Sequence, residues 1–315
     1  MTSRVTDPRR PFGRLLTAMV TPFRSDGSVD LDGAAQLAAH LVDEQGNDGL
    51  VISGTTGEAP TTSDAEKEAL LRAVVEAVGD RASVVAGVGT NDTHHTVELT
   101  RAAEKAGAHG VLVVTPYYNK PPQPGLIAHF TAVADASALP LMLYDIPARA
   151  GTAIATETLV RLAEHERIVA VKDAKGDLTA TSWVTSRSDL AFYSGDDAMT
   201  LPVLSVGGVG LVGTSTHLTG ARAKRLILAH EAGDVAGALA LHRELLPLFT
   251  GIFRTQGVIL VKAALSLLGL PSGPVRPPMV NATDAEIDVL RADSAEAGIV
   301  LPESSPRADA GTSAW

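Results

Sequence analysis

Short apolar runs alternate with longer amphipathic stretches along most of the chain. The short runs are Leu15–Val20, Gly49–Ile52, Val84–Gly87, Val111–Val114, Leu141–Tyr144, Ile168–Lys172, Leu190–Ser194 and Gly210–Gly213, many of them bounded by Gly, Pro, Ser or Asp. That length and punctuation predict eight strands. VLVV, LMLY and IVAV are apolar without alternation, as expected of strands covered on both faces in a parallel sheet. The intervening stretches read as helices. In Ser63–Val78, Ser63 and Glu66 stand at capping-box spacing, and Thr93–Ala106 is followed by Gly107, where a helix C-cap is expected. Repeated β-then-α units predict an α/β fold, a closed (β/α)8 TIM barrel.

Beyond about residue 233 the strand signals stop, and three helical stretches follow: Asp234–Phe249, Gln256–Leu268 and Asp284–Ala297. They are too short for a large core of their own and are expected to pack on the barrel. The predicted organisation is thus a barrel over 13–233 and a small C-terminal helical domain over 234–301. Residues 1–12 and 302–315, polar and proline-containing, are expected to be disordered tails. A doubly wound open sheet is the alternative architecture. Against it, the turn after the first strand lacks G-x-G-x-x-G, and Gly87-Val88-Gly89 is followed by Asn91-Asp92 rather than a third glycine.

Composition narrows the class. A chain of 315 residues accommodates one barrel of roughly 250 residues with an appendage. Hydrophobic residues at 45% and charged residues at 20% exclude a largely disordered chain. With 26 basic and 36 acidic residues the net charge is −10, which argues against nucleic acid or an anionic membrane as partner. The absence of cysteine excludes disulfides, thiolate zinc sites and a cysteine nucleophile. No run approaches about 18 apolar residues, and the first twelve residues lack an apolar signal core, so a cytoplasmic location is expected.

In a barrel, chemistry is expected at the carboxyl ends of the strands. After the second strand, Gly54-Thr55-Thr56-Gly57-Glu58 offers two hydroxyls and glycines that let backbone N–H groups approach an anion; alone it reads equally as a plain turn. After the fourth comes Thr115-Pro116-Tyr117-Tyr118-Asn119-Lys120-Pro121-Pro122, whose tyrosines alone could be a packed pair. The fifth strand ends at Tyr144, with Arg149 five residues on; a phenol passes protons and an arginine forks onto a carboxylate. Lys172 closes the sixth. It is either a surface lysine or an amine in a poorly solvated mouth, where a lowered pKa leaves it neutral and able to attack a ketone. Amine, hydroxylic acid/base and anion loop together are what a Schiff-base enzyme acting on a keto acid needs. No H-E-x-x-H, G-x-S-x-G or Walker A motif competes.

In that order and on those strands, GTTGE, TPYYNKPP, LYDIPARAG, VKDAKGD and SGDD resemble the 4-hydroxy-tetrahydrodipicolinate synthase (dihydrodipicolinate synthase) family. The resemblance runs from about Gly13 to about Ile299 and is nearest to actinobacterial members. The strand-six lysine and GxxGE pattern are shared with N-acetylneuraminate lyase and keto-sugar-acid aldolases. The resemblance implies a lysine Schiff base with pyruvate, condensation with L-aspartate 4-semialdehyde in the diaminopimelate–lysine pathway, no metal or cofactor, and a homotetramer built as a dimer of tight dimers. It implies Lys172 as the Schiff-base lysine, Tyr144 as acid/base, and Thr55 and Tyr118 as its proton relay, Tyr118 or its neighbour reaching across the tight interface. Thr56 then matches the pyruvate-carboxylate contact, Gly195 and Val212 wall positions, and Arg149 the contact to the second substrate's carboxylate. The alternative is a sister pyruvate aldolase acting on a sugar aldehyde. A non-catalytic paralogue would have lost Lys172 or Tyr144.

Two departures stand out. In the lysine-inhibited members' interface pocket, Asn91 and Tyr117 match, but His95 stands at the glutamate position and Asp64 and Lys67 at the histidine positions, so weak or absent lysine inhibition is expected. The segment Gly213-Thr214-Ser215-Thr216-His217 is more polar than the family pattern, without an assigned role.

Overall fold

A computed structural model describes residue 7 and residues 9–303. The strands are β1 Leu15–Ala18, β2 Gly49–Ile52, β3 Ser83–Gly87, β4 Gly110–Val114, β5 Leu141–Asp145, β6 Ile168–Asp173, β7 Ala191–Ser194 and β8 Gly210–Gly213. Each is parallel to the next, and β8 closes on β1 with Leu16 opposite Val212, so the sheet is a barrel and the open-sheet alternative falls. β1 is shorter than its apolar run suggests. Met19 still bonds Val51, but the Val20 N–H turns to His217 Nε2 at 3.1 Å instead of a strand carbonyl, which ends the ladder.

Continuous apolar runs result from a strand having two buried faces. In β4, Val111 and Val113 face the surrounding helices while Leu112 faces the barrel interior; in β5, Leu141 and Leu143 face out while Met142 and Tyr144 face in. The interior is a packed core of Leu16, Val51, Val85, Met142, Tyr193 and Val212 among others. Its lower end is stopped by Phe12, only 1% exposed, whose N–H donates to the Tyr193 hydroxyl at 3.4 Å. This corrects the tail assignment at one residue: Phe12 belongs to the core, because the barrel end must be filled. Most of the remaining tail residues lie outside those described.

The capping box at Ser63 and Glu66 is present, and Gly107 takes φ +87° after the helix Thr93–Lys105. The three C-terminal helices are Val235–Gly251, Gly257–Leu267 and Asp284–Glu296. The first packs Leu245 and Phe249 against Leu226 and Ile227 of the helix Thr216–Glu231. The second is buried along most of its length and is capped by Gln256, whose side chain meets Arg149. Among the described residues no helix is long and apolar enough to cross a membrane.

Candidate active site

Alternation along β5 places Tyr144 inside the barrel. A register shift between β5 and β6 then pairs Tyr144 with Lys172, so both side chains meet on neighbouring strands. Lys172 Nζ lies 4.3 Å from the centroid of the Tyr144 ring. The lysine is 5% exposed; burial pulls its pKa down to about 8, the nearby Asp197 opposing and Arg149 reinforcing the shift. Burial pushes Tyr144 the other way, up to about 12, with Arg149 and the Thr55 hydroxyl opposing. An amine that loses its proton at moderate pH therefore stands beside a phenol that keeps its own. Gly195 makes room for this lysine. A Cβ there would sit 3.0 Å from Lys172 Cγ and 3.1 Å from Ala174 Cβ, and the Gly195 N–H donates to Asp173 O at 2.7 Å.

The Thr55–Thr56 loop is anchored at its Gly57–Glu58 end. Ser53 and Glu58 flank it at φ +58° and +55°, a left-handed backbone that non-glycine residues adopt only where surroundings enforce it. Those surroundings are specific: the Thr21 hydroxyl donates to Gly57 O at 2.6 Å, the Arg276 N–H to Glu58 Oε2 at 2.8 Å, and Lys262 Nζ lies 2.6 Å from Glu58 Oε1 with both side chains buried. Thr56 Oγ1 is 3.3 Å from Thr214 Oγ1, which follows β8. Val212 of β8 is fully buried in the barrel interior. Arg149 is exposed at the mouth, donating from Nη2 to Gln256 Oε1 at 2.8 Å.

A cavity of about 480 Å³ runs from Tyr144, Thr55 and Arg149 to Asn91, His95 and Tyr117. Of the eight expected site residues, Thr55, Tyr144 and Arg149 line it; Lys172 lies against the Tyr144 ring, Gly195 beside Lys172, Thr56 beside Thr214, and Val212 in the barrel interior. Tyr118 stands apart by its exposure: it is 89% exposed at φ +74° and turned away from this cavity's lining, whereas its neighbour Tyr117 is part of it. At the far end, His95 Nε2 lies 2.8 Å from Asp64 Oδ2, and Lys67 Nζ 3.6 Å from Asp64 Oδ1. Sequence reasoning assigned no role to Asp197, Thr214, His217 or Lys262. Two signals were available, the polarity of 213–217 beside an apolar strand and Lys262 inside an apolar helix.

Fold and mouth together define a class: a (β/α)8 barrel carrying a desolvated amine beside a phenol, the equipment for carbonyl chemistry through an amine. The model of the dihydrodipicolinate synthetase family matches residues 11–296, and the chain belongs to that family. It is 71% identical over 288 residues to the 4-hydroxy-tetrahydrodipicolinate synthase of Acidothermus cellulolyticus, covering 91% of this chain and 93% of that one. It is 65% identical to 4-hydroxy-tetrahydrodipicolinate synthase 2 of Streptomyces coelicolor, over 93% and 98% of the two chains. A crystal structure of the Cyanidioschyzon merolae enzyme with lysine bound superposes with a TM-score of 0.89 at 43% identity, over 92% of this chain and 99% of that one.

Proposed function

We propose that the chain condenses pyruvate with L-aspartate 4-semialdehyde to give 4-hydroxy-tetrahydrodipicolinate, in the diaminopimelate–lysine pathway. The observation that carries this reading is Lys172, buried and easily neutralised, against the Tyr144 ring, in a chain this similar to named synthases. Neutral Lys172 adds to the pyruvate ketone, and the carbinolamine expels water, its oxygen protonated by way of Tyr144. Loss of a methyl proton gives the enamine, whose carbon attacks the aldehyde carbon of the second substrate. The substrate's own amine then displaces Lys172 from the imine carbon, closing the ring and freeing the lysine. Holding enamine and aldehyde together converts a bimolecular encounter into a positioned one.

In this reading Thr56 holds the pyruvate carboxylate, Gly195 and Val212 form the wall, and Arg149 holds the carboxylate of the aldehyde. Thr55 and Tyr118 complete the proton relay with Tyr144. The exposure of Tyr118 supports its service in the site of a second copy, within a homotetramer of tight dimers. We divide the chain into a barrel over 13–233 and a C-terminal helical domain over 234–301, and place its work in the cytoplasm without nucleic-acid or membrane partners.

Borohydride reduction with pyruvate present is expected to fix an adduct on Lys172; folded protein without one defeats the Schiff-base reading. Pyruvate consumption is then compared with aspartate 4-semialdehyde, N-acetylmannosamine and glyceraldehyde. Selective turnover of the first supports the synthase, and turnover of a sugar aldehyde alone moves the chain to a sister aldolase.

A further inference from the structure

The polar segment after β8 is locked by buried groups on three sides. Asp197, fully buried, accepts from the Thr214 N–H at 3.1 Å, the Ser215 N–H at 2.9 Å and the Ser215 hydroxyl at 2.5 Å. His217, also fully buried, spans two backbone groups: Nδ1 donates to Thr214 O at 2.8 Å while Nε2 accepts from the Val20 N–H at 3.1 Å. That pair of partners fixes one neutral tautomer. The Thr216 hydroxyl meets the Thr17 hydroxyl at 2.7 Å, which in turn meets Asn47 Oδ1 at 2.7 Å. Thr214 is therefore held through its N–H, its carbonyl and the residues that follow it.

This ordering sets the buried Thr214 Oγ1 3.3 Å from Thr56 Oγ1, a pair in which either hydroxyl can donate. A hydroxyl has one proton to donate and two lone pairs to accept with. If Thr56 commits its proton to a carboxylate, its oxygen needs a donor of its own, and Thr214 is the hydroxyl beside it. Such a chain polarises the outer O–H toward the anion. We propose that Thr214 is a positioning residue for the pyruvate carboxylate: it donates to Thr56 Oγ1 and so orients the Thr56 proton toward the substrate, with Asp197 and His217 holding it in place. This rests on the reading of Thr56 and Lys172 given above.

The test measures steady-state kinetics and the pyruvate concentration that half-saturates borohydride trapping, in the wild type, Thr214→Val and Thr214→Ser. Thr214→Val is expected to raise both the KM for pyruvate and the trapping midpoint about fivefold, the worth of one hydrogen bond. Loss of kcat/KM should be carried by the pyruvate KM, with the KM for the aldehyde unmoved, and Thr214→Ser should restore the wild-type values. His217→Leu should reproduce the effect, and His217→Gln, whose amide can make both bonds, should repair it. Unchanged pyruvate dependence in Thr214→Val, or equal losses toward both substrates that serine does not repair, overturns the proposal. Should Thr214→Val not fold, Thr214→Ala decides by the same criteria. Absence of any Lys172 adduct in the wild type would instead defeat the functional reading itself, and the proposal with it.

Discussion

Lys172 and Tyr144 are adjacent groups that burial drives in opposite directions, the amine down to about 8 and the phenol up to about 12. Only the unprotonated amine is a nucleophile. Below pH 8 the ammonium form dominates, so kcat/KM for pyruvate should fall as pH drops through about 8 and level off above it. A pH–rate profile of the free enzyme checks this; an acid limb near the pKa of an ordinary lysine would contradict it. Tyr144→Phe keeps the ring against Lys172 but removes the proton it passes. It should depress kcat far more than pyruvate binding, by about a hundredfold or more, and wild-type turnover in that variant would refute the role. At this scale the sequence offers identities and strand-end positions. It leaves a surface lysine and a desolvated one equally plausible, because desolvation is a property of what surrounds the side chain.

Among the elements, the loop between β2 and the helix Asp64–Val78 depends on the C-terminal helices. Glu58, in the middle of that loop, is held by Lys262 of the helix Gly257–Leu267 and by the Arg276 backbone. Lys262 also donates to Pro274 O at 2.8 Å and stands 4.2 Å from the Phe23 ring centroid. Removing one member of a buried pair leaves the other charged and unsolvated. Lys262→Met is accordingly expected to destabilise the fold by about 3–5 kcal/mol, measured by denaturant unfolding, with partial recovery in a Lys262→Met, Glu58→Gln double variant. A loss near zero would mean that Glu58 finds other solvation. The capping box and the alternating units were readable from local spacing, whereas this pairing joins residues about two hundred positions apart and has no local signature.

For the whole molecule, the placement of Tyr118 yields the most direct test. Exposed at φ +74° and away from the cavity of its own chain, it should act in a partner's site. Tyr118→Phe and Lys172→Ala protomers, each nearly inactive alone, should recover part of wild-type activity when refolded or co-expressed together, since one site of each mixed pair then has both residues. No recovery in verified mixed oligomers would sink the shared-site reading. At the other end of the cavity, His95, Asp64 and Lys67 already pair with one another. The carboxylate there, Asp64, already carries His95 and Lys67, so an incoming lysine ammonium meets a committed partner, and titration with lysine should leave activity essentially unchanged; strong inhibition would overturn this.

The sequence by itself determined parallel strands covered on both faces by helices, a pattern that a barrel and a doubly wound open sheet share, and the missing G-x-G-x-x-G turn favoured the barrel; the pairing of β8 with β1 closed it. The sequence also determined which residue types stand at the strand ends. Only the tertiary structure decided which of them share a space: the β5–β6 register set Lys172 against Tyr144, and the closing of β8 on β1 brought Thr214 beside Thr56. It also drew Phe12 into the barrel core and left Tyr118 outside the cavity. The reason is physical. Periodicity reports which face of an element is buried, but register, burial depth and the partner of a buried polar group are set by contacts between segments far apart in the chain.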